Sequence, residues 1–187
     1  MSPPNANRLR PFSYALLAVI GDRGASAAEL VEMARRGGPL FWSRASTQVY
    51  DESRRLERLG YLSSRIEPAR TRPRRVYTLT ARGREELRAW LVEPAPFPRI
   101  EHEANLRLVA GDMIDDAEIV ASLTAMRAEL DAHESLIEAS LDGLDERLPH
   151  RARYLRLDYS LAQRLVDAHR AWLDDVEREL GEEAENG

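Results

Sequence analysis

Apolar residues recur every three or four positions along most of the chain, which predicts a mainly helical protein. One such stretch follows Ser26 and Glu29, whose spacing is typical of a helix-capping box. Another, residues 45–59, has Val49 and Leu56 on one side and polar residues and arginines on the other. Counting the apolar stretch before Ser26, the sequence predicts three short helices in a row. The third has an outer face that is polar at its start and basic further along.

The periodicity changes after Gly60, where residues 61–66 and 76–79 predict the two strands of a β-hairpin. The turn between them carries four arginines: Arg70, Arg72, Arg74 and Arg75. Charges this close repel one another unless a polyanion compensates them, although a solvated loop is the alternative interpretation. A helix capped by Thr80 then completes the order helix, helix, helix, strand, strand, helix. This is the order of a winged helix-turn-helix, with the arginines in its wing.

The second half of the chain has a different pattern. Residues 94–98 alternate proline with other residues, which favours extended chain, so we expect two domains, 1–93 and 94–187. Beyond a short helix, two long helices are predicted, one ending near Leu141 and one beginning after Pro149. The expected fold is therefore mainly α, with a winged helix-turn-helix followed by a domain of antiparallel long helices.

Each long helix carries an apolar stripe at close to heptad spacing. Two such helices do not enclose a broad core alone, so each stripe needs something to cover it. A second copy of the chain would supply the cover, and packing against the chain's own first domain is the alternative. We expect a homodimer. Its predicted interface residues are Leu123, Leu130, Ile137, Leu161, Leu165 and Trp172.

Charge separates the two halves further. The 187 residues carry a formal net charge of −5. Residues 1–93 hold 17 arginines and 10 acidic residues, a net charge of +7, whereas residues 94–187 hold 10 arginines and 22 acidic residues, a net charge of −12. A basic half joined to an acidic half indicates that only the first half meets a polyanion such as DNA.

Several classes of protein are excluded or disfavoured. No apolar run approaches membrane-spanning length and no signal-peptide pattern opens the sequence, so we expect no membrane partner and a cytoplasmic location. Cysteine is absent, which excludes disulfides, thiolate zinc sites and cysteine nucleophiles. No catalytic triad order or phosphate-cradling glycine loop is present, so we expect neither an enzyme nor a cofactor.

Histidines and tryptophans offer weaker candidates. His102 lies between Glu101 and Glu103, but alternation on a helix would spread these side chains apart, so no metal site is expected. His169 is interpreted as a surface residue. The three tryptophans would either pack in the core, which is the simpler role, or line an effector pocket: Trp42, Trp90 and Trp172.

A helix that enters a major groove meets base edges with its first turn and phosphates with its flank. Thr47 and Gln48 are therefore the predicted base readers, since glutamine pairs bidentately with adenine. Contacts to phosphates or to the groove edge are predicted for Ser43, Arg44, Ser46, Arg54 and Arg55. Contacts to the flanking minor groove or backbone are predicted for Arg72, Arg74 and Arg75.

Two stretches resemble the signature of PadR-type regulators. One is the segment 46–50 followed by Leu56 and the residues 60–62, and the other runs from Arg75 to Gly83. The acidic helical region after them resembles the C-terminal dimerisation domain of the virulence-activator-like PadR subgroup. This resemblance implies a bacterial transcriptional regulator, usually a repressor, that binds operator DNA as a dimer and often releases it on sensing a small molecule. It also implies a role at the DNA for Tyr50, whose hydroxyl is available to a phosphate.

The sequence departs from that family at three positions of the third helix. Thr47 stands where glycine is usual, Asp51 where proline is usual, and Ser53 where leucine is usual. Asp51 places a carboxylate beside the expected groove, so it should either pair with Arg54 or Arg55 or accept from a cytosine amine. The alternative function is a winged-helix adaptor for other proteins that does not touch DNA, against which the basic face and the arginine wing argue.

Overall fold

The computed structural model describes residues 9–37, 46–68 and 73–184. The chain divides into two compact units, Met1–Pro96 and Phe97–Gly187. The predicted fold class is confirmed, since the chain is mainly helical with one small antiparallel sheet. Among the described residues, no helix combines the length and the apolar character needed to cross a membrane.

The first unit contains four helices and three strands in its described part. They are α1 (Pro11–Ile20), β1 (Ala25–Ser26), α2 (Ala27–Gly37), α3 (Ser46–Arg58), β2 (Leu62–Glu67), β3 (Arg74–Leu79) and α4 (Ala81–Leu91). The strand β3 lies between β1 and β2 and pairs antiparallel with both. The predicted order of helices and hairpin strands is confirmed. The strand β1 was not predicted, because two residues are too few to show an alternating pattern.

Two predicted helix starts are confirmed by their hydrogen bonds. The backbone N–H of Ser26 donates to Glu29 Oε2 at 2.7 Å, and the backbone N–H of Glu29 donates to Ser26 Oγ at 3.3 Å. The hydroxyl of Thr80 accepts a hydrogen bond from the backbone N–H of Gly83 at 3.0 Å. Each cap satisfies donors that the first turn of a helix leaves without a partner. These caps fix where α2 and α4 begin.

The core of the first unit lies between α1, α3, α4 and the sheet. Leu17 and Leu56 are fully buried there, and removal of such apolar surface from water is the main driving force for folding. Tyr14 stacks on Trp90 with ring centroids 4.7 Å apart. Trp90 therefore packs against this core, which is the simpler of its two predicted roles. Trp42 lies outside the described residues.

The second unit is helical throughout its described elements. They are α5 (Glu103–Val109), a 3₁₀ turn (Gly111–Met113), α6 (Asp116–Thr124), α7 (Arg127–Leu141), α8 (Leu144–Arg147) and α9 (Ala152–Ala184). The prediction of one long helix ending near Leu141 was wrong in one respect, because the chain turns between α6 and α7. At that turn the hydroxyl of Thr124 donates to the carbonyl oxygen of Val120 at 2.9 Å. Such a bond competes with the helix backbone and favours an interruption.

The helix α9 packs along both α6 and α7. Leu123, Leu130 and Ile137 are buried, as are Val166 and Leu173 on α9. We expected a second copy of the chain or the first domain to cover this stripe. That expectation was wrong for Leu123, Leu130 and Ile137. Their own chain covers them, so they are not available to a partner.

Candidate nucleic-acid interface

The helix α3 presents one apolar and one polar face. Val49, Ser53 and Leu56 point into the core and are at most 1% exposed. The hydroxyl of Ser53 donates to the carbonyl oxygen of Val49 at 2.8 Å, so this buried polar side chain has a hydrogen-bond partner. Leu59 follows the end of the helix at Arg58 and is 39% exposed.

Six of the described side chains of α3 are exposed on the side away from the core, and we call them the outer face. They are Thr47, Gln48, Tyr50, Asp51, Arg54 and Arg58. The structure thus places both predicted base readers, together with Tyr50 and Arg54, at the surface. Polar groups lie at the start of the helix and arginines further along, as contact with base edges and then phosphates requires.

One flank of α3 is fixed to α1 by Glu52. The Ser13 hydroxyl donates to Glu52 Oε1 at 2.5 Å, and Arg55 Nη1 donates to the same oxygen at 2.8 Å. Ser13 is fully buried and the Glu52 side chain is 16% exposed, whereas Arg55 remains 41% exposed. The guanidinium of Arg55 is therefore held at the surface by a carboxylate that is itself anchored in the core.

The other flank of α3 is fixed to the hairpin by Glu57. The hydroxyl of Ser64 donates to Glu57 Oε1 at 2.5 Å, and Arg75 Nη1 donates to Glu57 Oε2 at 3.3 Å. Arg75 also donates to Ser64 Oγ at 3.0 Å. These contacts join the C-terminal half of α3 to both strands of the hairpin, so Glu57 sets the position of the wing relative to the helix.

The wing arginine Arg74 is compensated within the chain. Its guanidinium donates to Glu29 at 2.8 Å and to Glu67 at 3.1 Å, and both carboxylates raise the pKa of Arg74. The backbone N–H of Ser26 is the main cause that holds the pKa of Glu29 below its usual value, and Arg74 adds to it. The argument that only a polyanion could relieve the wing's repulsion was therefore wrong for Arg74 and Arg75, which have carboxylate partners.

The expected pairing of Asp51 is also corrected. Within the described ranges Asp51 makes no ion pair with Arg54 or with Arg55, because Arg55 is taken by Glu52. The carboxylate of Asp51 is exposed on the outer face. Of the two alternatives for Asp51, a contact to a cytosine amine therefore stays as the prediction.

A groove of about 520 Å³ runs between the start of α1 and α3. Its lining includes Arg10 and Phe12 at the start of α1 and, from α3, Gln48, Asp51 and Arg58. Gln48 therefore lies at the edge of a concave surface that carries several charged groups. Such a surface can accept a polar edge of a ligand without the helix moving.

Four predicted site residues cannot be located in full. Ser43, Arg44 and Arg72 lie outside the described residues, and only the backbone of Ser46 is described, as the first residue of α3. The sequence also gave no sign of the partners that position the exposed arginines. Glu52 meets Ser13 across 39 residues and Arg74 meets Glu29 across 45 residues, and no local pattern indicates contacts over such distances.

The side chain of His102 contacts another histidine and neither of the glutamates beside it in the sequence. Its Nε2 atom lies 2.9 Å from Nε2 of His169, which had been interpreted as a surface residue. Glu103 is instead paired with Arg107. In the part of the chain that the structure describes, no group of three or more histidine and carboxylate side chains comes together to hold a metal ion.

Known proteins share both the sequence and the fold. Residues 16–89 match the transcriptional regulator PadR-like family. The negative transcriptional regulator PadR of Bacillus subtilis is 24% identical over 179 residues, which cover 90% of this chain and 96% of that protein. The matched residues include α3, the hairpin and most of α4, so they contain most of the candidate interface.

Solved structures extend the likeness to the second unit. The structure of Bacillus subtilis PadR in complex with operator DNA has a TM-score of 0.80 and 22% identity, and covers 93% of this chain and 99% of that one. The same regulator in complex with p-coumaric acid has a TM-score of 0.64 and 21% identity over 90% of this chain and 99% of that one. The virulence activator AphA of Vibrio cholerae has a TM-score of 0.71 and 24% identity, and covers 90% and 97%. On this likeness, residues 16–89 are a domain of the transcriptional regulator PadR-like family, and the chain as a whole shares the fold of the solved PadR-like regulators.

Proposed function

We propose that this regulator is a repressor that binds a specific operator with the outer face of α3. The observation that carries the proposal is the exposure of Thr47 and Gln48 at the start of α3, with arginines further along the same helix. The first half of the chain also carries a net charge of +7, which attracts a polyanion. The similar regulator of Bacillus subtilis is a negative one, and its structure is known with operator DNA.

Each side chain has a role in the proposed complex. Thr47 and Gln48 read base edges, while Tyr50, Arg54 and Arg55 contact phosphates along the flank of α3. Ser43, Arg44 and Ser46 add phosphate or groove-edge contacts at the start of the helix. The wing residues Arg72, Arg74 and Arg75 contact the flanking backbone or minor groove. The Arg74 and Arg75 guanidinium groups keep about half of their surface exposed despite their carboxylate partners, so each can still reach a phosphate.

We propose that two chains form the DNA-binding unit. The helix α9 carries a second apolar stripe beside the one that α6 and α7 cover, and we call its first part the open stripe: Tyr154, Leu157 and Leu161. These side chains are 52–68% exposed. The stripe continues along α9 at helical spacing to Leu165 and Trp172, which are half-buried. A second copy of α9 is the proposed partner, because near-heptad spacing suits a helix of the same kind.

A two-fold dimer would present two copies of α3 to DNA. If they lie roughly 34–36 Å apart, they enter successive major grooves, and the operator is then a palindrome. A small-molecule effector is proposed by analogy with the Bacillus subtilis regulator, which is known in complex with p-coumaric acid. Binding of an effector would weaken repression by favouring a dimer geometry with a different spacing of the two helices.

Selection of a random-sequence duplex library on the purified full chain tests DNA binding. We expect an inverted repeat to be enriched, with an affinity that falls steeply as salt is raised because phosphate contacts release counterions. The control is the chain with Thr47 and Gln48 both changed to alanine, which should keep salt-dependent binding but lose the enriched sequence. Absence of any salt-dependent binding would favour the adaptor function instead.

Light scattering tests the dimer. The wild-type chain should have twice the mass of one chain, and Leu161→Glu should have the mass of one. The matched control is Ser160→Glu, which adds the same charge to an exposed position of α9 that is not in the heptad register of the open stripe. A dimeric Leu161→Glu variant would contradict the proposed interface without affecting the proposed role of α3.

A further inference from the structure

Two histidines of the second unit meet through their ring nitrogens. His102 precedes α5, and its Nε2 atom lies 2.9 Å from Nε2 of His169 on α9. The ring planes differ by 12° and the ring centroids are 5.0 Å apart, much farther than the two nitrogens. The rings therefore lie nearly in one plane and meet edge to edge, which is the geometry of an N–H···N hydrogen bond and not of face-to-face stacking. We call these residues the histidine pair.

The backbone around the histidine pair determines where its protons are. His102 Nδ1 accepts a hydrogen bond from the backbone N–H of Asn105 at 3.0 Å, so this nitrogen carries no proton. His169 Nδ1 lies 2.6 Å from the carbonyl oxygen of Leu165, which only accepts, so this nitrogen carries a proton. In neutral rings the remaining assignment follows: His102 Nε2–H donates to the lone pair of His169 Nε2. All three hydrogen bonds need both rings to be neutral.

A single added proton breaks one of these bonds. Protonation of His169 places N–H groups on both sides of the 2.9 Å contact, which then repel each other. Protonation of His102 occupies Nδ1, the atom that caps α5 by accepting from Asn105. In both cases a stabilising contact becomes a repulsive one.

Of the carboxylates that the structure describes, none is bonded to either ring to stabilise its charged form. In the described part of the chain neither ring forms an ion pair, and Trp172 meets the ring of His102 edge-on at 5.6 Å. Most charged groups of the surrounding elements are engaged elsewhere. Glu103 pairs with Arg107 on α5, and Asp115 and Glu118 form the cap of α6. Five more take part in ion pairs between α7 and α9: Asp131, Glu134, Arg127, Asp174 and Glu177. Glu101, Asp112 and Asp116 make no ion pair among these residues, and Gln163 binds Asp167.

The histidine pair matters because α5 has few other attachments. None of the residues of α5 is buried, and its remaining close neighbours are α6 and the 3₁₀ turn. The helix α5 is also the first helix after the proline-containing segment that joins the two units. A change in how α5 is held therefore acts on the chain directly after that connection.

We propose that the histidine pair is a proton-sensitive latch: while both imidazoles are neutral it caps α5 and holds it on α9, and one of these two contacts is released when either imidazole is protonated. Because a histidine gains its charge by taking up a proton, the latch is closed at high pH and opens as the pH falls. It does not depend on the proposed DNA or dimer contacts.

Nuclear magnetic resonance of the full chain tests the closed state. At pH 8 the ring nitrogens of His102 should show the Nε2–H tautomer and those of His169 the Nδ1–H tautomer. The reverse assignment in either ring would overturn the latch. Micromolar Zn²⁺ that shifted both rings together would also overturn it, in favour of a metal site at the same two nitrogens.

Amide hydrogen exchange of α5 tests the release. After correction for intrinsic exchange rates, protection of residues 103–109 should fall by about three- to tenfold between pH 8 and pH 5.5, the loss expected for one hydrogen bond. His102→Asn can still cap α5, since asparagine is a favoured cap, but does not reach His169, so its protection should be low and independent of pH. The matched control, His133→Asn on α7, should keep the response. Equal protection at both pH values in the wild type, or a response that survives in His102→Asn, would refute the latch.

Discussion

Ser13 on α1 donates a hydrogen bond of 2.5 Å to Glu52 on α3, and Glu52 in turn holds Arg55. The buried hydroxyl thus fixes a surface guanidinium through one intervening carboxylate. The candidate interface therefore depends on how α3 is held against α1, and not only on the residues that α3 carries.

Ser13→Ala should destabilise the first unit, because the half-buried Glu52 carboxylate loses one of its two described donors. Hydrogen bonds to charged groups contribute about 1.5–3 kcal/mol, and the free energy of unfolding in urea should fall by roughly that amount. The control is Ser63→Ala, whose hydroxyl is exposed and bonds only to Thr78. An equal loss of stability in both variants would show that Glu52 does not depend on Ser13.

Gly83→Ala should be strongly destabilising. A Cβ at this position would lie 2.1 Å from the backbone carbonyl oxygen of Tyr61, which is not free to move away. We expect the free energy of unfolding, measured in urea, to fall by about 2–3 kcal/mol or more, as for other overpacked sites. Gly181→Ala is the matched control, since nothing lies within 4 Å of its Cβ and alanine favours the helix by about 0.5–1 kcal/mol.

Gln48→Ala should weaken binding to the selected operator by about 1–3 kcal/mol and leave binding to unrelated duplex unchanged. Fluorescence anisotropy with both duplexes measures the two affinities. Gln163→Ala removes the same amide from a position on α9, where it bonds Glu134 and Asp167, and should leave both affinities unchanged. If operator preference survived in Gln48→Ala, another residue of the outer face would be the base reader.

Arg74→Ala should weaken binding to all sequences alike and reduce the slope of log affinity against log salt by about one unit, the effect of one lost phosphate contact. Arg84→Ala is the matched control. Arg84 is similarly exposed and is also paired with a carboxylate, that of Asp22, but it lies on α4 and not in the wing. An unchanged slope in Arg74→Ala would mean that Glu29 and Glu67 retain this guanidinium when DNA is bound.

The carboxylate of Glu29, one of the partners of Arg74, makes stability depend on pH. The pKa of Glu29 is lower in the folded chain than its ordinary value of 4.5, chiefly because of the backbone hydrogen bond from Ser26. The charged form is therefore favoured by folding, so its contribution is present above pH 4.5 and is lost as the pH falls through the folded pKa. Urea unfolding of Glu29→Gln should show lower stability than the wild type at pH 6 and a smaller difference at pH 3. A constant difference would contradict this role.

Local patterns predicted much of the fold. The spacing of Ser26 and Glu29 identified the start of α2, and Thr80 identified the start of α4, because a capping side chain acts within one turn. The alternation after Gly60 predicted the hairpin strands. These signals are all carried by neighbours in the sequence.

Contacts between distant residues could not be predicted in this way. Nothing near His102 indicates that it meets His169, 67 residues further on. The stripe through Leu123, Leu130 and Ile137 was predicted to face a second chain, which was wrong because periodicity does not say which helix covers a stripe. It was covered by α9 of the same chain. For the same reason, charge counting predicted a basic wing and missed the carboxylates that compensate it.

Because Glu57 binds the hairpin and lies on α3, the wing keeps a fixed angle to the helix that would read the DNA. The length of duplex that α3 and the wing can contact is then set within a single chain. In the proposed dimer, operators with different separations of their two halves would have to be accommodated at the interface between the two chains. Tolerance to spacer length would then measure how far that proposed interface can move.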